Sequence, residues 1–124
     1  MVEEKWRRAA YWLTSGAAAL LFAVPGSALV AGVAHFQSEM ERLGFPAYFL
    51  LPFGVLKIIA AVTILAPRSP RLKEWAYAGM TFDVAFAAYS RAAIGDPLPQ
   101  ILLPLAIGAL VLTSSALRPA ARRL

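Results

Sequence analysis

The stretch LPFGVLKIIAAVTILA, residues 51–66, decides how this chain is read. Lys57 is the only charged residue between Arg42 and Arg68, and nearly everything around it is apolar. Such a run matches the ~20 residues that carry a helix across a ~30 Å hydrocarbon core. A charge at the centre of a spanning helix costs about 2.5–3.5 kcal/mol on insertion scales. Its retention implies a partner elsewhere in the chain.

Composition places the whole molecule in the same solvent. Of 124 residues, 60% are hydrophobic and 15% charged, against about 45–50% and about 25% in soluble domains. A globule of this size has too little interior to hide that much apolar side chain. Lipid is therefore part of the solvent, and residues 1–124 read as a single membrane domain. The net charge of +5 is spread over short patches between apolar runs. That placement suits anionic lipid headgroups and argues against a nucleic-acid face. With no cysteine, disulfides, thiol redox chemistry, iron–sulfur clusters and cysteine-based zinc sites are excluded.

Hydropathy gives four membrane segments, roughly 9–33, 47–66, 75–90 and 98–117, an all-α integral membrane four-helix bundle. Lys5, Arg7 and Arg8 precede the first segment, Arg68, Arg71 and Lys73 join the second to the third, and Arg118, Arg122 and Arg123 follow the fourth. The other two connections hold one arginine each, Arg42 and Arg91. The positive-inside rule then puts both termini in the cytoplasm, with the chain crossing the plasma membrane repeatedly. Trp6, Tyr11, Trp12, Trp75 and Tyr77 group at the cytoplasmic headgroup level, and Phe45, Tyr48 and Tyr89 at the opposite one. Between the first two segments, Phe36, Met40 and Leu43 fall at helical spacing, while Gln37, Glu39, Glu41 and Arg42 project elsewhere. This pattern predicts a short amphipathic helix on the interface, ended by Gly44 and Pro46.

Lys57 lies about 13 Å from each end of its segment at 1.5 Å per residue. Asp83 has a similar mid-segment position between Trp75 and Ser90. Antiparallel neighbours would bring the two to one depth, where pairing offsets the cost of burying each. Gly54, Ala60 and Ala61 keep one side of the second segment slim, as Ala76, Gly79, Ala87 and Ser90 do for the third. Small residues there permit either a tight helix seam or, where a neighbour stands back, a pocket with a polar floor. Lys57 and Asp83 are the candidate catalytic residues, since a coupled donor and acceptor can serve acid–base chemistry. Weaker ligand-binding candidates are Gly54, Gly79, Ser90, Arg91, Gln100, His35 and Glu39, the last two as an i, i+4 pair on the outer rim. Pro104 frees the carbonyl of Gln100 and makes a polar notch there. Asp96 with Pro97 and Pro99 reads as a turn and helix start. Glu74 beside Lys73 reads as an interfacial ion pair.

The segments RLGFPAYFLLPFGVLKIIAAVTIL (42–65) and PRLKEWAYAGMTFDVAFAAYSRAAIGD (70–96), with ALRP at 116–119, resemble the DoxX-like family of small four-helix membrane proteins. Two positions depart from the family pattern: Leu29 stands where many relatives carry lysine, and Arg91 where they often carry histidine. The family takes its name from a subunit of a thiosulfate:quinone oxidoreductase. The resemblance therefore implies one alternative, a non-catalytic subunit that binds quinone or anchors a redox partner. A second is a structural element in which Lys57 and Asp83 lock the helices. The residues themselves favour a polar centre for a lipophilic small molecule, with isomerase or epoxide-opening chemistry. They name no cofactor and leave a homo-oligomer open.

Overall fold

A computed structural model describes residues 2–123. The chain is all-α, 85% helical, with no strand among the described residues. Among the described residues five α-helices follow one another: α1 (Val2–Ala31), α2 (Ala34–Arg42), α3 (Leu50–Leu65), α4 (Pro70–Ala93) and α5 (Leu98–Ala116). Proline opens two of them: Pro70 starts α4, and Pro97 and Pro99 flank the first residue of α5. At these positions the missing N–H has no helical partner to lose. Gly44, with φ +94°, turns the chain out of α2, a conformation that L side chains resist. The short helix expected between the first two segments is α2, whose Met40 is buried.

α1 packs against α3 and α5, and α4 packs against α5 and α3. The main core lies among these four and centres on Phe22, Ile64, Tyr77, Met80, Val84 and Val111. A smaller cluster of Leu29, Met40 and Leu50 seats α2 against the rest. Val2–Ala31, Ala47–Leu65 and Leu98–Ala116 are long and apolar enough to cross a membrane. The third expected segment, 75–90, lies inside α4, which does not reach that apolarity. Asp83 interrupts α4 at its middle, and Arg71, Lys73, Glu74 and Arg91 load its ends.

The start of α1, the α3–α4 turn and the end of α5 gather at one end of the molecule. Arg7 donates to the carbonyl of Ala116 at 3.1 Å, and Arg122 to that of Ala66 at 2.8 Å. Lys73 is completely buried there. Its amino group donates to Thr63 O at 2.9 Å and also to Ala66 O. A cation on the last carbonyls of a helix answers both their unmet hydrogen bonds and the negative end of the dipole. Glu74 consequently pairs not with Lys73 but with Arg118, at 2.6 Å. Adjacent residues on a helix point in different directions, and the buried one is taken by α3.

Tyr11 and Tyr77 likewise do not sit at a headgroup surface. Both are interior. The Tyr77 hydroxyl shares a 2.6 Å hydrogen bond with Ser114 Oγ, which shares another of 2.6 Å with Ser15 Oγ. A buried hydroxyl chain thus ties α4, α5 and α1 together, and each member satisfies the next. Of the aromatic residues expected at the two headgroup levels, Trp6, Trp12, Trp75, Tyr48 and Tyr89 are exposed.

Candidate functional site

Phe45, Phe49, Phe53 and Lys57 occur at every fourth position, a spacing that puts them on one face of a helical path. The rings stack in sequence, with centroids 5.2 Å apart for Phe45 and Phe49 and 5.1 Å for Phe49 and Phe53. Lys57 ends the row. Its Nζ stands 4.7 Å from the Phe53 ring centroid and 4.8 Å from that of Phe22 on α1. Two aromatic faces therefore share the stabilisation of its charge.

Lys57 Nζ donates to Asp83 Oδ2 at 2.5 Å, joining α3 to α4. Each side chain keeps 16% of its surface exposed. Among the described residues this is the only hydrogen bond of either side chain. A lysine amino group carries three donors, so most of its capacity is unspent. Among the described residues no buried side-chain polar atom lacks a partner, so Asp83 Oδ1, which makes no hydrogen bond, keeps accessible surface.

Lys57 and Asp83 line a cavity of about 750 Å³ to which all five helices contribute. Pro25 and Leu29 of α1, Phe36 and Met40 of α2, Phe86 of α4 and Leu103 of α5 give it apolar walls. The cavity brings Ser90, Arg91, Gln100, His35 and Glu39 into one lining with Lys57 and Asp83. Gly54 lies elsewhere, in the crossing of α1 and α3 against Gly26. Gly79 lines a second, smaller cavity between α3 and α4.

The α2 end of the site is closed by alternating charges. Arg42 is bidentate to Asp96, at 2.6 and 3.0 Å, and reaches Glu39 at 2.9 Å. Arg91 bonds Asp96 at 3.0 Å and lies 3.4 Å from Glu39. Two guanidinium groups and two carboxylates thereby bind α2 to α4 and the turn before α5. Hydrogen bonding from Arg42, with help from Arg91, holds the Asp96 carboxyl below the usual carboxylate range; the Arg42 bond does the same for Glu39. Glu39 is thus committed to arginines, and the His35 ring stands edge-on to Phe36 with centroids 5.4 Å apart.

Asp96 was legible only as a turn residue, because its two arginines are distant in sequence or on another helix. The phenylalanine row left a signal in its four-residue spacing.

A family model described as DoxX-like matches residues 13–114, most of the chain. The chain belongs to the DoxX-like family. Among curated proteins and among solved structures, nothing matches it. In this DoxX-like protein the matched region contains the whole phenylalanine row, both members of the ion pair and the arginine–carboxylate closure. Leu29 and Arg91 both line the cavity. Chemically, the DoxX-like site offers amino hydrogens and a carboxylate oxygen in a largely apolar, ring-lined space that also holds Ser90, Arg91, Gln100, His35 and Glu39.

Proposed function

We propose that this DoxX-like membrane protein binds a lipophilic small molecule in the ring-lined cavity, with the polar group of the ligand on Lys57 and Asp83. The observation that carries this reading is the unspent hydrogen-bonding capacity of the pair at the cavity floor. A pair serving only to lock two helices gains nothing from facing about 750 Å³ of space. A buried ion pair is also a weak source of stability by itself. The same geometry suits acid–base chemistry of the isomerase or epoxide-opening type. Lys57 Nζ would donate a proton to a ligand oxygen while Asp83 Oδ1 accepts one from the ligand or from water.

The reading includes a four-helix bundle in the plasma membrane with both termini cytoplasmic. It is supported by the gathering of Arg7, Lys73, Arg118 and Arg122 at one end and by the positive-inside rule. Since the chain has no cysteine, single cysteines at Ser38 and Ser69 test it directly. An impermeant maleimide added to intact cells should label the first and spare the second; the reverse pattern refutes the orientation.

The ligand itself is tested by mass spectrometry of small molecules that copurify in mild detergent. A lipophile should accompany the wild-type protein and be absent from the folded Lys57→Met/Asp83→Asn double variant. Equal recovery from both refutes the site.

A further inference from the structure

Beyond the ion pair a second cavity, of about 360 Å³, runs between α3 and α4. Leu56, Ile59 and Thr63 form one wall, and Leu72, Trp75 and Gly79 the other. Phe53, Lys57 and Asp83 border both cavities. The pair is therefore the partition between them.

The second cavity differs from the first in shape and setting. From Asp83 to Leu72, α4 rises about 16 Å, half of a ~30 Å hydrocarbon core. The groove leads from the ion pair to the end of the molecule where Lys73 and Arg118 lie. Leu56, Ile59, Leu72 and Trp75 are more than half exposed, so it also opens sideways. Gly79 keeps that mouth clear, with no atom within 4 Å of where a β-carbon would stand. Packing does not demand a glycine here, unlike at Gly26 and Gly54, where a β-carbon would strike backbone oxygen. A glycine inside a helix weakens it relative to alanine, so the open mouth is retained at a cost to α4.

The partition restricts what can occupy both spaces. A charged headgroup does not descend to mid-membrane depth, which excludes a phospholipid from contact with Lys57 and Asp83. An uncharged oxygen function does reach them, and it meets both a donor and an acceptor. On one side of that oxygen lies a broad, ring-lined cavity; on the other, a narrow apolar slot of half the volume.

We infer that the groove holds the hydrocarbon chain of the ligand whose polar group meets the ion pair. The ligand class is a single-chain amphiphile with one uncharged oxygen function, a hydroxyl, carbonyl or epoxide. A compact apolar body lies among the phenylalanines, and an unbranched chain lies along α3 and α4. The inference rests on the proposed ligand site and adds the chain, its path and its lateral entry from the bilayer.

Two photoprobes on the full-length protein in lipid nanodiscs test it. One is a phenyl-bearing secondary alcohol whose dodecyl chain ends in a diazirine; the other is phenylethanol with the diazirine on its ring. Peptide mapping should place the chain tip on Leu72, Trp75 or Ile59 and the ring label on Phe45, Phe49 or Met40. Gly79→Trp should abolish the chain-tip label and leave the ring label unchanged. Ala76→Phe, on the same wall, repeats the test should the tryptophan variant not fold. A chain tip found among Met40, Leu43 and Phe45, indifferent to Gly79→Trp, overturns the groove and leaves the ligand site standing. A ring label unchanged in Lys57→Met/Asp83→Asn overturns the site itself, and the groove with it.

Discussion

Gly26 and Gly54 meet backbone to backbone where α1 crosses α3. A β-carbon on Gly54 would stand 2.7 Å from Gly26 O, and one on Gly26 would stand 2.8 Å from Gly54 O and 2.9 Å from Lys57 Cβ. This close crossing sets the position of Lys57 relative to α1 and, through it, the contact of the amino group with the Phe22 ring. Gly54→Ala should therefore destabilise the protein by about 1–3 kcal/mol, as overpacking does, although alanine favours the helix by about 1 kcal/mol. Thermal unfolding in detergent should show a lower midpoint; an unchanged or higher one would mean that the helices part without cost.

Lys57 and Asp83 should respond to substitution as a unit. Lys57→Met or Asp83→Asn alone leaves one group without its ion-pair partner at mid-span, at a cost of about 3 kcal/mol. The double variant restores a neutral centre and should recover most of that stability. Ligand retention should be lost in all three. A double-mutant cycle read by thermal unfolding separates the two effects, since recovery of stability without recovery of ligand identifies a binding role.

The closure over α2 should weaken in acid. Glu39 and Asp96 have carboxyls held below their usual range by Arg42. For a depressed carboxylate the stabilisation is complete above the unfolded value, about 4, and fades as pH falls through the folded value. The other groups facing the closure are Arg42 and Arg91, which keep their charge throughout, and His35, which acts on Glu39. Protection of residues 34–42 against hydrogen exchange, taken relative to the intrinsic rate at each pH, should be high and steady near neutrality and fall below about pH 4. Asp96→Asn should bring the loss of protection to neutral pH; high protection in that variant would remove the closure's role.

Lys73 should prove more important than its place beside a polar turn implies. Lys73→Met removes the donor that serves Thr63 and Ala66 at the end of α3. Hydrogen bonds from charged groups contribute about 1.5–3 kcal/mol, and the loss should appear in thermal unfolding. Lys73→Arg should not restore it, because a planar guanidinium does not replace a compact amino group in a fully enclosed space. Recovery by arginine would show that charge alone holds α3.

Much of the architecture was legible from local pattern. The phase of Phe36 and Met40 predicts α2, the apolar runs predict α1, α3 and α5, and the isolation of Lys57 calls for Asp83 as its partner. The slim face of α3 was legible too, but not the helix it meets. Gly54 faces α1, while Ala60 and Gly79 line a cavity between α3 and α4. Residue size announces that some backbone comes near; it carries no record of which one.

The sequence by itself determined the solvent, the helices and the presence of a costly charge near the middle of an apolar run. Those follow from composition and from periodicity along one chain, where each residue is judged against near neighbours. Only the tertiary structure decided that Lys73 faces inward while Glu74 reaches Arg118, that Glu39 serves Arg42 and Arg91, and that the ion pair opens onto two cavities. These depend on how distant helices are rotated and spaced. A shift of one side chain by a single position along a helix turns it about 100°, enough to exchange a partner for empty space.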